Sequence, residues 1–85
     1  MKYQEGLETT KNWLKEHSRL EIEDILSKSG LSTQKAKIIL SKYCEEHQRD
    51  RASYDLGMSE SSYSHKHTEA LHRIKSALRF LGLID

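Results

Sequence analysis

The chain has 85 residues, 35% of them apolar and 32% charged, with no proline and a formal charge of +1 from 14 basic and 13 acidic side chains. A length of this order holds one domain, and so small an apolar share must be gathered on narrow helix faces. No apolar run approaches the roughly 20 residues that cross a bilayer, bulk charge does not announce nucleic acid, and the one cysteine, Cys44, has no second thiol to bridge, which fits a reducing cytoplasm.

Leu, Glu, Lys and Ala are plentiful and nothing reads as a hairpin, so the expected class is all-α. The expectation is a small bundle of four to five helices, forming a single domain over residues 1–85. Glu5 and Glu8 near the start argue against a secretory leader. A first helix is predicted from about Glu5 to His17. Leu7, Thr10, Trp13, Leu14 and His17 share one face at three- and four-residue spacing, with Trp13 as the expected core anchor. Ser18-Arg19-Leu20-Glu21 reads as a capping box. It opens a second helix that carries Leu20, Ile22, Ile25 and Leu26 and stops near Gly30.

Ser32 caps a third helix, predicted from about Thr33 to His47. Its inner stripe is Ala36, Ile39, Leu40 and Tyr43, with Ile38 flanking. After a polar connection, a short fourth helix from about Asp50 leads to Leu56-Gly57-Met58-Ser59. Glycine just past a helix end takes the left-handed cap without steric cost, and a serine two residues on can cap the next helix. Met58, apolar in a turn, is expected to plug the corner. The last helix then runs toward Leu81, with Tyr63, His67, Ala70, Leu71, Ile74, Ala77, Leu78 and Leu81 on one side. The other side shows Ser61, Ser64, His65, Thr68, His72 and Lys75. Residues 59–82 hold four basic side chains against two acidic ones and three histidines, whereas residues 1–30 hold five basic and six acidic. The positive end is the last helix. The turn and the helix after it have the form of a helix-turn-helix, in which short polar side chains reach base edges and longer cations meet phosphates.

Leu31-Ser32-Thr33-Gln34-Lys35-Ala36-Lys37-Ile38-Ile39-Leu40-Ser41-Lys42-Tyr43 resembles the opening helix of sigma-factor region 4, written L-T-x-x-E-R-x-V-L-x-L-R-Y. Leu56-Gly57-Met58-Ser59 stands where that family has L-G-V-S, and Ala70-Leu71-His72-Arg73-Ile74 where it has A-L-x-x-L. The three landmarks keep register from Leu31 to Leu78. The sequence departs from the pattern at Lys35, at His47 and Gln48, at Ala52-Ser53, and at Glu60, whose carboxylate suits a helix start but repels phosphate. Residues 1–30 are too few for a promoter-melting domain. The arrangement is therefore more similar to small phage-encoded transcriptional regulators of the ArpU and RinA kind than to a complete sigma factor. The resemblance implies a DNA-binding part over residues 31–82 beside an N-terminal helical pair over 1–30. It assigns base reading to Glu60, Ser61, Ser64, His65 and Thr68. It assigns phosphate contacts to Lys35, Lys37, Arg49, Arg51, Lys66, His72 and Lys75. The implied partners are double-stranded DNA, RNA polymerase and a second copy of the chain.

Three other readings compete. Cys44-x-x-His47 and His65-x-His67 supply zinc-ligand types. But residues two apart on a helix point about 200° apart, and no second close pair completes a site, so no metal or other cofactor is expected. No phosphate-binding glycine loop, paired-carboxylate frame or nucleophile elbow is present, and an enzyme is not expected. An adaptor that docks on polymerase or another regulator, or a DNA-binding subunit of phage packaging, is the stronger rival. Glu60, the near-neutral charge and the apolar end Phe80-Leu81-Gly82-Leu83-Ile84 favour it, and a DNA-reading homodimer would use that same end.

Overall fold

The computed structural model describes residues 7–44, 53–54 and 56–84. Among these the chain is all-α, with four helices: α1 Leu7–Glu16, α2 Arg19–Lys28, α3 Thr33–Tyr43 and α4 Glu60–Phe80. The predicted ends of the first and third helices at Glu5 and at 45–47 fall outside the described residues, as does most of the fourth. Of that fourth helix, expected from about Asp50 to Leu56, only Ser53 and Tyr54, both helical, and Leu56, in the turn, are described. No helix among the described residues is long and apolar enough to cross a membrane.

The starts of α2, α3 and α4 are each closed by the serine expected to close them. Ser18 Oγ accepts from the Glu21 N–H at 3.3 Å while the Ser18 N–H donates to Glu21 Oε1 at 3.2 Å, a complete capping box. Ser32 Oγ accepts from the Lys35 N–H at 3.3 Å, and Ser59 Oγ from the Ser62 N–H at 3.1 Å. Gly57, at φ +69, ends the segment before α4. Its N–H reaches Tyr54 O at 3.0 Å and that of Met58 reaches Ser53 O at 2.9 Å. This bond pair is the Schellman arrangement, which only a residue at ease in the left-handed region completes without strain. The same arrangement at Gly82 stops α4.

α4 packs on each of the other three helices. Leu14, Ile22, Ile25 and Ile39 close on its Ala70, Leu71, Ile74 and Leu78, all buried. A second small cluster pairs Ile38 of α3 with Tyr63 of α4 and seats Leu56 and Met58 against them. Met58 thus plugs the corner, as the turn suggested. Ile38 is not a flanking residue but fully buried, because α3 lies between the main core and the turn and buries side chains in both directions. Removing two such side chains from water is worth roughly 1.5–3 kcal/mol each, enough to fix where α4 begins.

Three expectations fail at the periphery. Leu20 is 78% exposed, since the buried face of α2 is set by Ile22, Ile25 and Leu26. Trp13 is half-buried at the rim, its ring stacked 3.8 Å from that of His17, whose Nδ1 donates to Trp13 O at 2.6 Å. The largest sealed side chain among the described residues is Tyr63 instead. Leu81 is 42% exposed, because α4 ends at Phe80 before another turn could bring it inward.

Candidate nucleic-acid interface

The capped start of α4 sets out the polar face. Glu60, Ser61, Ser62 and His65 are exposed, and at 100° per residue Ser61 and His65 lie opposite the core stripe of Ala70, Leu71 and Ile74. Ser64 and Thr68 are half-buried on the flank toward α1, and the Thr68 hydroxyl donates to Ser64 O at 3.1 Å. The five proposed base readers therefore divide. Glu60, Ser61 and His65 stand clear of the bundle, while Ser64 and Thr68 line a side cleft.

The flank facing α3 is braced by its own charges. Lys35 Nζ lies 3.8 Å from Glu69 Oε2, His65 Nε2 lies 3.4 Å from Glu69 Oε1, and Lys66 Nζ donates to Gln34 Oε1. Lys35 and Lys66 are thus each held by a partner within the fold, and Glu69 offsets part of the charge of Lys35. Lys37 is exposed on α3. His72 is half-buried beside Lys28 and Ser29 at the end of α2, and Lys75 is half-buried further along α4. Arg49 and Arg51 lie outside the described residues.

On the opposite flank, α1, the end of α3 and the first half of α4 enclose a cleft of about 480 Å³. Lys11 and Lys15 of α1 and Lys42 of α3 line it with Ser64, His67 and Thr68. Tyr43 Oη and His67 Nε2 are 2.9 Å apart in it, with their rings 5.7 Å apart. Burial, then the charges of Lys42 and Lys11, push the His67 pKa down to about 4, so its imidazole is neutral near pH 7. Burial, reinforced by Tyr63 and Glu8, raises the Tyr43 hydroxyl well above its ordinary value. None of the three lysines was among the expected cation contacts. The signal was present in the four-residue spacing of Lys11 and Lys15, which puts both on one face. What the spacing did not carry is that this face meets Ser64 and Thr68.

Among the described residues no three His, Cys, Asp or Glu side chains come together as a metal site. His67 is turned to Tyr43 and His65 to Glu69, and Cys44 is half-buried against the core. Compared with models of known protein families, with curated proteins and with solved structures, the chain matches none.

The far end of α4 has a different character. Phe80 is 90% exposed, and the exposed Leu81 and Leu83 line a groove with Leu20 and Trp13. α4 has 21 residues, so this apolar end stands roughly 30 Å from Ser59 at 1.5 Å per residue.

Proposed function

We propose that the chain is a sequence-specific double-stranded DNA-binding transcriptional regulator, sigma region 4-like and of phage or prophage origin. It reads the major groove with the helix that starts at Ser59. The observation that carries this reading is the turn: Gly57 closes one helix, Met58 is seated on Ile38 and Tyr63, and Ser59 opens α4 with Ser61 and His65 facing solvent. A helix held by its base with its N-terminal polar face clear of the bundle has the form needed to enter a groove about 12 Å wide. The protein acts without a cofactor, as a homodimer through Phe80, Leu81 and Leu83, which leaves the start of α4 free for DNA. RNA polymerase is the further partner that the region 4 likeness suggests.

The test is a pair of substitutions with opposite signatures. His65→Ala is expected to change which duplex is preferred, by about 1–3 kcal/mol per good base contact. Lys66→Ala is expected to weaken all duplexes alike and flatten the salt slope by about one unit. An adaptor that docks on another protein is the second reading, favoured by the exposed Phe80 and by Glu69 offsetting the charge of Lys35. If neither substitution alters duplex retention while Phe80→Ser abolishes a protein complex, the adaptor reading replaces the first.

A further inference from the structure

The lysines of α1 and of the end of α3 take no part in the reading just given, yet they converge on the cleft beside Ser64 and Thr68. Lys11 and Lys15 project from successive turns of α1, and Lys42 faces them from α3. Among the described residues lining the cleft, Glu8 is the one carboxylate. Among the described residues none of these three lysines is within ion-pair distance of a carboxylate, whereas Lys28 is 2.8 Å from Asp24 and Lys35 is 3.8 Å from Glu69. The cleft therefore holds, among the described residues, a surplus of positive charge.

A second observation points the same way. Tyr63 also lines this cleft and is 1% exposed, and its hydroxyl is sealed from solvent without a hydrogen-bond partner among the described residues. A buried hydroxyl is rarely left unpaired, because its lost hydration is not recovered elsewhere. Tyr63 is one of the cleft's own lining residues, so an acceptor bound there would lie on its side of the fold. A lysine ammonium binds phosphate as a compact point charge and needs no fixed bidentate geometry to do so.

We propose that this cleft is a phosphate-binding site, filled by the backbone of one strand of the duplex that α4 enters, an inference that rests on the DNA reading above. Ser64 lies one residue, or 100° of helix, from His65. A phosphate in the cleft therefore sits to the side of the base-reading face, where the wall of the groove stands when the helix lies in it. The opposite wall meets a flank where Glu69 offsets Lys35, so the cleft supplies the stronger grip. The N-terminal helix, which the region 4 likeness leaves without a role, becomes part of the interface.

The full chain is titrated with mixed-sequence duplex between 50 and 200 mM salt, together with a triple variant (Lys11→Ala, Lys15→Ala, Lys42→Ala). Two controls accompany it: a triple lysine-to-arginine variant at the same positions, and Lys28→Ala. The alanine variant is expected to bind about tenfold more weakly, with a salt slope at least about one unit flatter, while both controls follow the parent. Helix content by circular dichroism checks that the variants fold. If the parent binds duplex and the alanine variant keeps its slope and affinity, the cleft proposal is refuted and the DNA reading stands. If the parent retains no duplex, inorganic phosphate and a 5′-nucleoside monophosphate are titrated instead, with the amide signals of Lys42, Tyr43, Ser64 and His67 followed by NMR. Saturable shifts lost in the alanine variant would support a site for free phosphate and overturn the duplex as its source. Flat signals would overturn both.

Discussion

Acidification should destabilise this fold through His67. In the unfolded chain an imidazole takes its proton near pH 6.5, whereas in the folded state burial and the charges of Lys42 and Lys11 hold the pKa of His67 down to about 4. Between those values the unfolded state binds more protons, so stability falls as the pH falls, and above the unfolded value the effect vanishes. Integrating the linkage from pH 7.5 to pH 5 gives a loss of about 2 kcal/mol from this one residue, a sizeable part of the roughly 5–15 kcal/mol that holds a small domain. Urea unfolding of the parent and of His67→Gln at both pH values isolates the contribution. Glutamine keeps a hydrogen-bonding partner for Tyr43 but does not titrate. The carboxylate of Glu21, held below its usual range chiefly by the Ser18 backbone N–H, makes both proteins acid-sensitive and cancels in the difference. The variant is expected to lose about 2 kcal/mol less than the parent. Equal losses in the two proteins would show that His67 is not held neutral by the packing described here.

Gly57→Ala should lower stability by about 1–2 kcal/mol, because Gly57 sits at φ +69 and the cost comes from the backbone, there being no described atom beyond its chain neighbours within 4 Å of the added methyl group. A thermal midpoint equal to the parent's would remove the turn from the argument. Thr10→Val should raise stability by about 1 kcal/mol in urea unfolding, since the Thr10 hydroxyl is buried without a partner; a loss instead would mean that the hydroxyl is satisfied. Phe80→Ser should leave stability within about 0.5 kcal/mol, as expected of an exposed site, while shifting the sedimentation of the chain toward the monomer. An unchanged mass across a concentration series would separate the apolar end from self-association.

The helix starts were legible in the sequence because each depends on a few adjacent residues. Ser18, Ser32 and Ser59 cap where their spacing to a following helical pattern put them, and Gly57 and Met58 behave as a turn with a plug. Burial at the rim was less legible. Leu20 and Trp13 are apolar and sit near the right face, but whether a side chain is covered depends on how far the neighbouring helix reaches, which no local pattern carries. The same applies to the candidate site. The outward direction of Ser61 and His65 follows from helical period alone, whereas the division of Ser64 and Thr68 from them depends on where α1 lies. The Lys35–Glu69 pair and the three-lysine cleft join residues from different helices, at separations that periodicity does not encode.

Selection from a pool of random duplexes at moderate salt decides whether the start of α4 reads duplex DNA. The account predicts that the full chain enriches a defined half-site, repeated about 34 Å apart or at a multiple of that spacing. It also predicts that Ser61→Ala with His65→Ala enriches a different half-site or none. A pool that emerges as random as it entered, or the same half-site recovered by parent and variant, would contradict it.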